Sequence, residues 1–265
     1  MTDPRSGSQA RIRQALQGGG GSPQVVPYLM AGFPHLDDTV GMLLAAQGAG
    51  SALVELGLPY SDPLADGPVI QAAGQRSLMN GMTVARALGQ IRTARAAGFT
   101  IPLVVMTYLN PLLRMGLGDF AGQAADSGVD GVLVTDLPLE EMGAIGEAAA
   151  HYGLAITTMV APTTPDSRIR RAGELATGFV YCVSRTGVTG SSAATADEGP
   201  ELLRRARMQT DLPLALGFGV RRRDQVLALT GLADAVAVGS FLIERAGEGS
   251  DPARAVAEAI SQLRG

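Results

Sequence analysis

The sequence predicts an α/β fold, a (β/α)8 barrel with one extra helix at its N-terminus. Three observations carry this. Eight short apolar runs alternate with amphipathic stretches along the chain, the rhythm of parallel strands joined by crossover helices. The length, 265 residues, suits one such barrel, which typically takes about 250. Hydrophobic residues make up 46% and charged residues only 17%, enough to cover strands on both faces. An open doubly wound sheet is the alternative. It usually has fewer strands and a glycine-rich first turn, and Ala31-Gly32-Phe33-Pro34 is not one. Residues 1–265 are therefore expected to form a single barrel domain.

Residues 1–22 read as a mobile end leading into a short helix. Gln9–Leu16 carries Ile12 and Leu16 on one face, and the run Gly18–Gly21 is a flexible connection. The expected strands are 25–30, 52–55, 103–106, 131–134, 155–160, 178–183, 214–217 and 235–238. Helices are expected over 37–47, 84–97, 119–127, 139–151, 165–175, 200–208, 223–229 and 252–263. The longest interval between strands, after the second, holds a further helix around 69–78. Barrel enzymes work at the C-terminal ends of their strands, so that insertion falls on the functional face.

Its first part, VELGLPYSDPLADGP over 54–68, organises the chain. Glu55 is read as the last residue of the second strand, an expensive place for a carboxylate. A buried charge is paired or neutralised, so Glu55 is either a structural cap or a catalytic acid. Asp66 supplies a second acid in the same loop. After the seventh strand comes LGFGV and after the eighth AVGS. Glycines there let backbone N–H groups approach an anion, and barrels often hold phosphate at this place. Ser184–Thr195, after the sixth strand, reads as a connection or a lid. Tyr181 just before it is either core filler or a substrate contact.

Composition removes several alternatives. The chain has no lysine, so no Schiff base forms on a side chain. No His/Cys/carboxylate cluster has zinc-like spacing, and Cys182 is alone. No cofactor is expected. A net charge of −4 and a pI near 5.2 disfavour nucleic acid. With no membrane-length apolar run and no signal-peptide pattern, cytoplasm is the expected location.

VELGLPYSDPLADGP resembles the signature of the tryptophan synthase alpha subunit family. The likeness extends to PYLMAGFP, MTYLNP, DGVLVTDLP, YCVSRTGVTG, LGFGV and VGS, in the family's order. It implies a TIM barrel that cleaves indole-3-glycerol phosphate to indole and glyceraldehyde 3-phosphate, late in tryptophan biosynthesis. It implies catalytic roles for Glu55 and Asp66, phosphate contacts from Gly190, Gly219, Gly239 and Ser240, and loop closure by Thr189. Tyr108, within MTYLNP, and Tyr181 join them as expected substrate-binding residues. The implied partner is the pyridoxal phosphate-dependent beta subunit, in an alpha2-beta2 heterotetramer. Departures are Tyr60 where Phe is common, the early glycine run, and SSAAT after the sixth-strand loop. The alternatives are a free-standing indole-glycerol phosphate lyase and a non-catalytic phosphate-binding activator. Apolar residues in two mouth loops, Leu58 to Tyr60 and Leu109 to Met115, are read as the exposed docking patch, the alternative being that they fold back on the barrel or line the indole pocket.

Overall fold

The computed structural model describes residues 7–184, 198–217 and 219–265. Eight parallel strands close into a barrel in sequence order. They are β1 (Gln24–Met30), β2 (Val54–Gly57), β3 (Leu103–Thr107), β4 (Gly131–Val134), β5 (Ala155–Val160), β6 (Val180–Val183), β7 (Leu214–Gly217) and β8 (Ala235–Val238). β8 pairs with β1 through Gln24↔Ala235 to Pro27↔Val238, which closes the ring.

Side chains alternate between two cores, as strand geometry requires. Val54 and Leu56 belong to the outer core beneath the helices. Val26, Leu53, Val104, Leu133, Ala155, Phe179, Ala215 and Ala235 fill the inside. Both faces are buried, so the strands read as unbroken apolar runs. Glu55, between Val54 and Leu56, therefore points inward.

The first helix, α1 (Gly7–Gln17), plugs the N-terminal end. Its Ile12 and Leu16 join the inner core. Gly131 and Gly178 leave room for Ile12, whose side chain would lie 3.2 and 3.7 Å from a Cβ at those positions. Arg11 of α1 reaches Asp130, just ahead of β4. Asp130 is 2% exposed and also accepts from Arg95 at 2.8 Å and from the Leu103 amide at 2.9 Å. This one carboxylate ties α1, β3 and β4 to α4 (Val84–Ala96), which carries Arg95.

The remaining helices are α2 (Asp38–Gly48), α3 (Pro68–Met79), α5 (Leu109–Met115), α6 (Leu117–Asp126), α7 (Gly143–Tyr152), α8 (Asp166–Leu175), α9 (Glu198–Arg207), α10 (Arg223–Leu227), α11 (Ser240–Gly247) and α12 (Pro252–Arg264). Four sequence expectations need correction. β2 continues to Gly57, because Tyr28↔Glu55, Leu29↔Leu56 and Met30↔Gly57 all pair with β1; Glu55 lies within the strand, not at its end. The segment after β3 is helix α5 rather than a loop. Pro111 lies in its first turn, where a missing N–H costs nothing, and the Asp136 carboxylate accepts from the Leu109 amide at 2.8 Å. The short α11 follows β8 directly. The stretch 139–151 divides into a 3-10 turn, Leu139–Glu141, and α7.

The expected apolar docking patch is also smaller than the sequence suggests. Leu58 and Leu112 are 3% and 0% exposed because both pack into the outer core. Leu113, at 55%, remains the exposed large apolar residue of those two segments; Leu64, four residues beyond the first of them, is 86% exposed.

Candidate active site

At the C-terminal end of the barrel lies a cavity walled by Tyr28, Asp66, Ile70, Met106, Met159 and Tyr181. Gly217, Gly219, Gly239 and Ser240 also line it. The space depends on pairing large residues with small ones. A Cβ on Gly57 of β2 would overlap the Tyr28 hydroxyl, and one on Gly217 of β7 would overlap the Tyr181 ring. Each glycine thus admits a tyrosine from the neighbouring strand. Gly57→Val is expected to cost about 1–3 kcal/mol by overpacking. Gly219→Val, with nothing within 4 Å of its Cβ, is expected to leave stability unchanged. Urea unfolding of the two variants checks the contrast.

Glu55 stands in register with the cavity residue Tyr28 and does not itself line the cavity. It is 0% exposed, and neither carboxylate oxygen has a hydrogen-bond partner. Burial, which penalises the anion, pushes its carboxyl up to about 8. Asp66 is partly exposed on the loop between β2 and α3 and lines the cavity. Burial raises it to about 6, opposed by the Tyr108 hydroxyl, which favours the anion. At neutral pH one acid is therefore protonated and the other ionised, the pattern that lets two carboxylates take different roles.

The loop carrying Asp66 is fastened by α3 and by the start of α5. The Tyr108 hydroxyl accepts from the Ala65 amide at 3.1 Å. Tyr60 stacks against Tyr108 at 5.2 Å between ring centroids, and Asn110 donates to the Tyr60 hydroxyl at 2.8 Å. Gln71, in the first turn and a half of α3, donates to the Asp66 carbonyl at 2.9 Å. Tyr108 thus acts here as an anchor for the acid-bearing loop; it is 4% exposed.

The structure brings Asp66, Tyr181, Gly219, Gly239 and Ser240 to one cavity; Glu55, in register with Tyr28 of its wall, is buried and does not line it. Thr189 and Gly190, and all but Ser184 of the expected lid, lie outside the described residues. Sequence reasoning missed Tyr28, Ile70, Met106 and Met159. Period-2 alternation through Val26, Tyr28 and Met30 was the signal available for Tyr28. Cys182 faces the outer core, fully buried, with its thiol pushed up to about 12, and is inert.

Beside the main cavity β4 and β5 part company. Their pairing ends at Leu133↔Thr157, whereas β5 continues along β6 from Thr158 to Val160. A second hollow fills the gap, lined by Thr135, Thr157 and Met159, and Met159 borders both hollows.

A closed parallel barrel with a cavity at the C-terminal ends of its strands, one carboxylate lining it and another buried on the neighbouring wall, has the architecture of a barrel enzyme. The family model described as "Tryptophan synthase alpha chain" matches residues 17–264. The chain belongs to that family. It is 44% identical to the tryptophan synthase alpha chain of Halalkalibacterium halodurans over 226 residues, 85% of each chain. It is 41% identical to that of Thioalkalivibrio sulfidiphilus over 259 residues, covering 96% of this chain and 97% of the relative. Among solved structures, the tryptophan synthase complex of Pyrococcus furiosus gives a TM-score of 0.83 at 36% identity, covering 92% of this chain and 98% of that one. Mycobacterium tuberculosis tryptophan synthase gives 0.86 at 32%, covering 98% and 96%.

Proposed function

We propose that Glu55 and Asp66 carry a retro-aldol cleavage in the cavity between Tyr28 and Tyr181. As a member of its family the chain is a carbon–carbon lyase of tryptophan biosynthesis, cleaving indole-3-glycerol phosphate to indole and glyceraldehyde 3-phosphate. The observation that carries the residue assignment is geometric: Asp66 lines the cavity, and Glu55 is buried and unpartnered in register with the cavity residue Tyr28; burial, which raises Glu55 to about 8 and Asp66 to about 6, supports it.

The chemistry needs an electron sink. With no lysine in the chain, no protein iminium forms, and the substrate's own ring serves. Protonated Glu55 gives its proton to indole C3, leaving a ring that accepts electrons. The bond from C3 to the side chain then breaks, its electron pair returning to the ring as indole is restored. The hydroxyl on the departing carbon becomes the aldehyde, and its proton passes back to Glu55. Ionised Asp66 accepts from the ring N–H and stabilises the positive charge that develops there. Apolar Ile70, Met106 and Met159 suit the indole ring, and the hollow between β4 and β5 gives it depth.

The cavity has no basic side chain among the described residues, so phosphate would be held by backbone. Gly239 precedes α11 and Ser240 opens it. The free N–H groups and the positive end of that helix favour an anion, and Gly219 offers an unobstructed backbone beside it. Loop closure by Thr189 and a phosphate contact from Gly190 complete this reading.

We also take the chain to be one barrel domain of a cytoplasmic enzyme; no described helix is long and apolar enough to cross a membrane. Its partner is the tryptophan synthase beta subunit, and Leu64 and Leu113 are the exposed apolar contacts of the mouth. Docking there would steady the Tyr60–Asn110 latch and the Asp66 loop, shifting the population towards a working arrangement. The purified chain is expected to release indole slowly from indole-3-glycerol phosphate and to be stimulated at least tenfold by purified beta subunit. Rate titration with light scattering checks this. Full activity alone, with no complex at micromolar concentrations, would indicate a free-standing lyase.

A further inference from the structure

Tyr28 has no role in the chemistry described so far, yet its placement is tightly defined. It stands on β1 in register with Glu55 on β2. Its ring is 7% exposed and lines the cavity. Near the backbone, its Cβ and Cδ1 lie 3.6–3.7 Å from where a Cβ on Gly239 would stand. At the other end its hydroxyl crosses over Gly57, two residues beyond Glu55 on the same inward face. The ring therefore runs from the start of α11 across to the inward face of β2 that carries Glu55, with no hydrogen bond to that carboxylate in this structure.

Glu55 presents a complementary gap. Both of its oxygens are buried and unpartnered. Such a carboxyl is comfortable as the neutral acid and strained as the anion, because burial penalises charge. A proton shuttle must occupy both states in each turnover. The groups acting on Tyr28 are Asp66 from the loop, Tyr108 from the start of α5, Glu55 on β2 and Tyr181 on β6, and none is a cation. Burial and these neighbours hold its phenol protonated, so it keeps a hydrogen to donate and adds no charge of its own.

We propose that Tyr28 is a positioning residue for the cleavage, its hydroxyl donating a hydrogen bond to the Glu55 carboxylate while that acid is without its proton. The proton stays on Tyr28 throughout; only the hydrogen bond forms and relaxes. This assignment rests on the role proposed above for Glu55.

The test is Tyr28→Phe, measured in the complex with beta subunit beside wild type and Glu55→Gln. Removing the hydroxyl is expected to lower kcat roughly 10- to 100-fold, the range for a hydrogen bond to a charged group, with KM for indole-3-glycerol phosphate little changed. The pH limb of kcat belonging to Glu55 should move up by about one pH unit, because loss of a donor to the anion favours the acid. That direction holds whichever limb Glu55 sets. Tyr28→Phe with wild-type kcat and unmoved limbs would overturn the assignment. So would a parallel loss of kcat and melting temperature with unmoved limbs, which marks a packing role alone. If Glu55→Gln itself turns over normally, the Glu55 reading fails and this assignment falls with it. Normal Tyr28→Phe beside a dead Glu55→Gln removes only the tyrosine.

Discussion

Glu55→Gln is expected to reduce kcat by at least ~10²–10⁴-fold, the range for general acid–base catalysis, while the barrel stays folded. Gln matches Glu in shape and lacks the transferable proton. The pH profile of kcat/KM in the parent should be a bell. Activity rises as Asp66 ionises through about 6 and falls as Glu55 loses its proton through about 8. The same acid gives an independent stability readout. Its folded-state acidity lies above that of an exposed Glu, so the native chain binds more protons than the unfolded one between the two values. Stability is fully present below the unfolded pKa of ~4.3 and is lost as pH rises through about 8. Glu55→Gln removes that loss. Its melting temperature should come nearest wild type below about pH 4 and exceed it increasingly from there to about pH 8, where the difference levels off. A variant that is folded, shows this stability trend and retains turnover would sink the catalytic role while leaving the burial argument intact.

Asp130→Ala is expected to be the most damaging change to the fold. It would strand Arg95, which is 18% exposed and bonded to the Gly128, Phe99 and Ile101 carbonyls at the base of the barrel. It would also leave the buried Leu103 amide without its acceptor. Removing one partner of a buried ion pair typically costs 3–5 kcal/mol. Arg11, at 47% exposed, can return to water, so we expect about 3 kcal/mol. Urea unfolding with an unchanged m-value measures it. Because Asp130 precedes β4 at the end opposite the cavity, the variant that remains folded at low temperature should keep the kcat of its parent. A cost below about 1 kcal/mol would show that both guanidinium groups rehydrate freely.

Much of this protein is determined locally, and the sequence shows it. Strands buried on both faces need near-continuous apolar runs, so the barrel's order and most of its boundaries follow from the pattern of residues along the chain. Glu55 and Asp66 stood out because acids in or beside an apolar run demand a reason. The absence of lysine constrained the reaction without any coordinate.

What the tertiary structure decided are matters of partnership across the ring. The segment after β3 reads as a loop; only the neighbouring Asp136 carboxylate and the packing of Leu112 make it helix α5, which then carries the latch on the Asp66 loop. Leu58 and Leu112 look exposed in one dimension and are covered in three. Gly57 falls outside the strand the sequence suggests and Gly217 at the end of one, yet each is small because a tyrosine from the neighbouring strand fills its place. Above all, the acidities of Glu55 and Asp66 are set by how much water the closed barrel leaves them. That is a property of the assembled walls, and no stretch of sequence contains it.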